Sequence, residues 1–268
     1  MPQRDTGWIQ LFVESAQEAY DKIIQAYRIA ENDKVRLPIM VNMDGIVLSH
    51  TYEPIYPLSD SEITSFAPWN LYSKRLDPDN PLTMGAFSYP DYYYEARYQS
   101  AKALKDSLPV ISKVDEEFGK LSGRSYGIVS PFKCDDADTI LISIGSISTT
   151  VRATVKKLRE RGEKVGMVSL RLFRPFPLDE IVKSIKNAKA IGIVDRALSP
   201  GAVAGPVFTD ITSALYISKA SIPAVNFFVG LGGRDVKMND IENAFNKLKR
   251  IAKTGIVKEN SYYIGLRG

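Results

Sequence analysis

One cysteine, Cys134, and one histidine, His50, stand in 268 residues. A single thiol excludes an intrachain disulfide, and it leaves no cysteine set for an iron–sulfur cluster or a structural zinc. A single imidazole excludes a polyhistidine metal site and a pair of histidine acid–base catalysts. No apolar run approaches a membrane span, and Met1-Pro2-Gln3-Arg4-Asp5 opens no stretch of signal-peptide type. The charge is nearly balanced, 35 basic against 31 acidic residues for a net +4. The densest basic stretches, Lys156 to Arg161 and Lys247 to Arg250, read as solvated helix faces rather than a nucleic-acid patch. What remains, 44% hydrophobic and 25% charged, is enough to bury a core of one large or two medium domains. These features imply a soluble cytoplasmic protein with no nucleic-acid or membrane partner.

The chain opens with a strand pattern at Trp8 to Val13. Ser15 then precedes a helix with apolar residues at Ala19, Ile23, Ile24, Tyr27 and Ile29. Ser15 and Glu18 fit a capping box, the hydroxyl taking one free N–H while the carboxylate reaches back. Leu37 to Met43 reads as a buried strand, so the unit is strand–helix–strand and the sheet parallel. Residues 44–90 form a long proline-rich stretch, expected to be an interface loop through Tyr52, Tyr56, Phe66, Trp69 and Tyr72. From Asp91 to about Lys120 a helical pattern returns, with Tyr94, Tyr98, Ala101, Leu104 and Leu108 on one side and a break expected at Pro109. Residues 122–136 read as a linker. Beyond it strands at Thr139 to Ile144, Val165 to Leu170, Ala190 to Val194 and Ala224 to Val229 alternate with helices, the pattern of a doubly wound α/β domain.

In such a sheet the loops after the strands hold the site. Gly145-Ser146-Ile147-Ser148 leads into a helix that Ser146 or Ser148 can cap, and whose N-terminus could alternatively take an anion. Gly230-Leu231-Gly232-Gly233-Arg234-Asp235 places an aspartate where a dinucleotide fingerprint needs its third glycine, so a tight turn is the better reading, with Arg234 and Asp235 tying the loop or a subunit contact. His50, in the loop after a buried strand, reads more readily as a hydrogen-bond partner than as a catalyst.

Six strings then resemble, in order, the α subunits of 2-oxoacid:ferredoxin oxidoreductases, pyruvate:ferredoxin oxidoreductase in particular. They are Arg4-Asp5-Thr6-Gly7-Trp8 with Val13-Glu14-Ser15-Ala16-Gln17-Glu18-Ala19; Asp44-Gly45-Ile46-Val47-Leu48-Ser49-His50-Thr51-Tyr52-Glu53-Pro54; Thr83 to Tyr93; Arg174-Pro175-Phe176-Pro177; Asp195-Arg196-Ala197; and Gly230 to Asp235. The resemblance implies that residues 1–121 are the C-terminal part of a pyrimidine-type thiamine-binding domain and residues 137–268 a transketolase C-terminal-like domain. It implies thiamine diphosphate with magnesium shared with partner chains, and iron–sulfur clusters only in those chains. It implies β-, γ- and δ-type subunits, ferredoxin, coenzyme A and a 2-oxoacid as partners.

Family α subunits carry a further segment ahead of the Arg4 string, with the glutamate that activates the thiamine aminopyrimidine and the arginine that receives the substrate carboxylate. A separate chain supplying that portion is therefore expected, unless the sequence is a fragment. A scaffold or dimerisation subunit without catalysis, and relatives acting on 2-oxoisovalerate or 2-oxoglutarate, are the alternative readings. No catalytic or metal-binding residue is assigned. Arg4, Asp5, Thr6 and His50 are expected at the edge of the cofactor cleft, the two segments at the same end of one sheet, with Asp5→Ala lowering turnover at least tenfold, about 1.4 kcal/mol.

Overall fold

Strand β1 (Ile9–Phe12) buries Ile9 and Leu11, and the chain turns through Ser15 into helix α1 (Ala16–Ala30). The computed structural model describes residues 1–69, 76–81, 83–85 and 87–267. Only half of the expected capping box forms. Ser15 Oγ accepts from the Glu18 N–H at 3.1 Å, but the Glu18 carboxylate accepts from the Glu14 N–H at 3.0 Å instead of reaching back to Ser15. Of the apolar positions its periodicity marks, α1 buries Ile24 and Ile29 but not all of them. Ile23 and Tyr27 are 48% and 62% exposed, whereas Glu18, Asp21, Lys22 and Gln25 are buried. Pairing explains these buried charges: Lys22 Nζ lies 2.6 Å from Asp115, and Asp21 receives Arg124 at 2.7 Å. A buried charge is tolerated where a partner and hydrogen bonds replace its water.

Strand β2 (Ile39–Asn42) runs parallel to β1, Ile9 opposite Ile39 and Phe12 opposite Asn42. Residues 44–90 are less irregular than their prolines suggest. Helix α2 (Asp60–Phe66) starts on a full capping box, Ser59 with Glu62. Phe66, expected at an interface, is buried edge-on against Phe118 with ring centroids 5.2 Å apart. Tyr52, Tyr56 and Trp69 are exposed; Tyr72 and Ala86 lie outside the described residues. Helix α3 (Pro90–Asp106) and helix α4 (Leu108–Ser122) meet at Ser107, with Pro109 in the first turn of α4, where its missing N–H costs nothing.

Strand β3 (Val129–Phe132) lies inside the segment read as a linker and pairs antiparallel with β5 (Val165–Leu170). The larger sheet is completed by β4 (Thr139–Ile144), β7 (Ala190–Asp195), β8 (Ala224–Phe228) and β9 (Ser261–Tyr263), in the order β3-β5-β4-β7-β8-β9. Its strands are parallel apart from β3. A short strand β6 (Leu172–Arg174) leaves this sheet and pairs antiparallel with β1, giving the three-stranded order β2-β1-β6.

The period of two along β4 assigns its faces. Leu141 points into one core with α5 (Ile147–Glu160) and α8 (Met238–Thr254). Ile140, Ile142 and Ile144 point into the other, with α6 (Leu178–Ile185) and α7 (Pro206–Ile217). Helices cover both faces of a mostly parallel sheet, so this part of the chain is doubly wound.

Candidate functional site

Strands β4 and β7 are neighbours, yet the helix after β4 packs on one face and the helix after β7 on the other. The chain therefore changes direction between them, the kind of switch point at whose carboxyl ends open α/β sheets bind ligands. Ser146 and Arg196, each just past its strand, flank that switch point. Beside them comes Asp44, from the loop after β2 of the smaller sheet.

The Asp44 carboxylate accepts from the Ser146 N–H at 2.7 Å and from Arg196 at 3.1 Å, and Arg196 also donates to Ser146 Oγ at 3.2 Å. Gly145, with φ +76°, permits this approach, since a Cβ there would stand 3.3 Å from both carboxylate oxygens. The N-terminus of α5 is thus capped by a carboxylate from another part of the chain. Ser146 contributes its N–H rather than a capping hydroxyl, and Ser148 is buried with its Oγ 2.9 Å from that of Ser143. The anion position foreseen at this terminus is filled by Asp44 itself, which suits the positive end of the helix. Gly230 completes the junction, its Cβ position 3.3 Å from Arg196 Nε. Three of the six strings, those of Asp44, Asp195 and Gly230, meet here. The Gly230 loop is tied down by Arg234, which donates to the Gly265 carbonyl at 2.7 Å.

Asp195 does different work one residue before Arg196. Buried at the end of β7, it accepts from the Val207 and Phe208 N–H groups at 3.2 and 3.1 Å and from Asn226 at 3.0 Å, capping α7 from the sheet. Burial pushes its carboxyl up to about 6 against the hydrogen bonds that oppose the shift. A carboxyl raised in the folded state favours folding at low pH, and that contribution is lost as pH rises from about 4 through about 6, worth about 3 kcal/mol. Asp195→Asn, neutral throughout, is expected to flatten this part of the stability profile. Urea unfolding of both proteins across that interval tests it, and parallel profiles would refute the assignment.

The candidates at Arg4, Asp5, Thr6 and His50 do not form one cluster. Because β1 and β2 are parallel, the turn that precedes β1 and the loop that follows β2 stand at opposite ends of the sheet, not at the same end. His50 is on the Asp44 side, exposed, with Nδ1 2.7 Å from Ser49 Oγ. Arg4 and Asp5 pair at 3.2 Å, Asp5 lies 3.6 Å from Arg174, and Thr6 Oγ1 donates to the Gln3 carbonyl at 2.9 Å. This turn borders a separate cavity of about 230 Å³ with Gly7, Arg97 and Arg174.

Pattern reading missed the buried ion cluster that joins the two sheets. Arg171, from the turn between β5 and β6, reaches Glu18 at 2.5 Å and Glu14 at 3.3 Å. Glu14 also takes Arg152 at 3.2 Å and a hydrogen bond from Ser169 Oγ. Burial raises the Glu18 carboxyl, and the Arg171 charge opposes that rise. The signal was present as two carboxylates four residues apart at a helix entry and an arginine between buried strands. Spacing alone does not pair residues about 150 positions apart.

Residues 1–116 match the family model described as pyruvate flavodoxin/ferredoxin oxidoreductase, thiamine diphosphate-binding, and residues 137–241 match pyruvate:ferredoxin oxidoreductase core domain II. The chain is 41% identical to pyruvate synthase subunit PorA of Methanosarcina barkeri, over 97% of this chain and 65% of that protein. It is 38% identical to PorA of Pyrococcus abyssi, over 99% and 67%. Ketoisovalerate oxidoreductase subunit VorA of the same organism is also 38% identical, over 95% and 64%. The chain thus spans about two thirds of the length of these relatives. In fold it is similar to 2-oxoglutarate:ferredoxin oxidoreductase from Magnetococcus marinus, with a TM-score of 0.57 at 16% identity over 89% of this chain and 42% of that one.

Proposed function

The chain belongs to the pyruvate:ferredoxin oxidoreductase family, and from that premise we propose that it is a subunit of a 2-oxoacid:ferredoxin oxidoreductase, active only with companion chains and taking pyruvate as its 2-oxoacid. In the proposed reaction the 2-oxoacid loses carbon dioxide, two electrons pass through iron–sulfur clusters to ferredoxin, and the acyl group passes to coenzyme A. The observation that carries this reading is the Asp44–Ser146–Arg196 junction, where three family strings from two sheets meet at the switch point between β4 and β7.

Thiamine diphosphate would supply the carbanion chemistry. By the family resemblance we assign magnesium and the diphosphate to a companion chain of β type, and the clusters to γ- and δ-type chains. Residues 1–121 are the proposed thiamine-domain portion and 137–268 the second domain, with 122–136 between them. Exposed Tyr52, Tyr56 and Trp69 are assigned to contact with a companion chain. No helix among the described residues is long and apolar enough to cross a membrane, and the cytoplasm is the proposed location.

Two measurements test the reading. The chain alone is expected to bind no thiamine diphosphate by calorimetry at micromolar concentration and to hold no iron. Purified with its companion chains, it is expected to support pyruvate- and coenzyme-A-dependent reduction of ferredoxin. Iron or tight thiamine binding in the single chain would overturn the division of labour. An assembled complex that reduces ferredoxin only with a branched 2-oxoacid would overturn the substrate, and one inert with every 2-oxoacid would make the chain a scaffold.

A further inference from the structure

Thr139 opens β4 directly opposite Val165 of β5 and Ala190 of β7. Lys164 and Lys189, one residue ahead of those partners, therefore flank it at the amino ends of the three strands. Thr139 has the parity of Leu141, so its side chain faces α8. Lys249 and Lys253, one turn apart near the end of that helix, border the same space. Together these elements enclose a cavity of about 460 Å³, inside the range of small-molecule sites, about 300–1,000 Å³. It lies at the end of the sheet opposite the Asp44 junction.

Two features distinguish it from an ordinary lysine-rich surface. The first is its charge. Both carboxylates in its wall are already taken, Asp138 by Lys189 at 2.8 Å and Glu163 by Lys249. Asp136 lies within reach of the Lys164 charge but is paired with Arg159 at 2.8 Å. Lys164 and Lys253 have no ion-pair partner among the described residues. The negative end of α8, about half a charge, offsets part of Lys253, so a surplus of about one and a half positive charges remains. The second feature is Thr139. It is 1% exposed and lines the cavity, and its buried Oγ1 has no hydrogen-bond partner among the described residues. A buried hydroxyl is normally paired, and a ligand oxygen at this wall would pair it.

Charge and size select the ligand. A phosphate monoester carries about 1.5–2 negative charges at neutral pH on three strong acceptor oxygens, which suits both the surplus and the hydroxyl. The cavity is far larger than inorganic phosphate, and Val165, Ala252 and the lysine stems give a carbon skeleton an apolar wall. We propose that this cavity binds a small organic phosphate monoester, its phosphate between Lys164 and Lys253 and its carbon part against Val165 and Ala252. The site does not depend on the proposed reaction.

Calorimetry on the full 268-residue chain, with adenosine monophosphate and glycerol 3-phosphate at millimolar concentration, tests it. At least one of the two is expected to bind at one site per chain, and more tightly than inorganic phosphate. Lys164→Gln and Lys253→Gln are each expected to weaken that binding at least fivefold. Lys183→Gln, on α6 across the sheet, is expected to leave it unchanged. All three lysines are exposed, so thermal melts of these variants are expected to match the wild type. Thr139→Val removes the unpaired hydroxyl at nearly constant volume, and is expected to raise the melting midpoint while weakening the binding. Failure of both esters to bind would overturn the proposal, and so would unchanged affinity in Lys164→Gln, Lys253→Gln or Thr139→Val. An equal loss in Lys183→Gln would overturn it too, because general surface charge would then explain the binding. Inorganic phosphate binding as tightly as the esters would reduce the site to a simple anion contact and overturn it as well.

Discussion

Arg171→Leu is expected to destabilise the folded chain by about 3–5 kcal/mol, the cost of removing one partner from a buried ion cluster. Glu18 has its closest cation in Arg171, and both side chains are nearly inaccessible, while Glu14 keeps Arg152. The substitution also removes the donor to the Tyr126 carbonyl at 3.1 Å. Its pH dependence identifies the cause. Without its cation the Glu18 carboxyl is pushed further up, so the variant folds best with that group protonated. Its deficit should be smallest below about pH 4, where an unfolded glutamate is protonated too, and should grow as pH rises toward neutrality. Replacing both members, Arg171→Leu with Glu18→Leu, is expected to recover more than half of the loss, since a well-packed apolar pair often equals a buried ion pair. Urea unfolding near pH 4 and pH 7 measures all of this. A single variant with a deficit under about 1 kcal/mol at neutral pH would show that water solvates the cluster.

In the assembled complex, Arg196→Ala is expected to lower turnover at least tenfold, about 1.4 kcal/mol of transition-state stabilisation. Without its guanidinium, Asp44 keeps the Ser146 N–H, and the loop that leads on to His50 loses its anchor on the loop after β7. Asp5→Ala in the same assay separates the two ends of the small sheet. The resemblance of the Arg4 string led to an expectation of an equal loss there, whereas the strand register places that turn away from the Asp44 junction. A loss confined to Arg196→Ala assigns the cleft edge to the Asp44 junction. A loss confined to Asp5→Ala moves it to the arginine-lined cavity, and normal turnover in both leaves each with a structural role. Unfolding midpoints of the variants guard against attributing lost stability to lost catalysis.

The alternation of strands and helices beyond residue 137 is legible in the sequence because parallel strands buried on both faces become unbroken apolar runs such as Ile140 to Ile144. Short strands such as β3, β6 and β9 are not, because three or four residues hold too little periodicity and their partners are distant in sequence. Helix α2 shows a different failure. Its capping box is plainly written at Ser59 and Glu62, but the surrounding prolines outweighed it. The strings shared with the family were also visible, whereas their meeting at Asp44, Ser146 and Arg196 was not. Part of the face that α1 buries, Ile24 and Ile29, follows the apolar period, and the rest was decided by the tertiary structure. Composition marks Ile23 and Tyr27 as core and Asp21 and Lys22 as surface, but Arg124 and Asp115, about 90 to 100 residues away, reverse the order by supplying opposite charge. Local sequence determined where elements form, since helix period, caps and apolar runs act over a few residues. Only the folded chain decided which charges could be buried and where the loops converge, because both depend on partners brought together from distant positions.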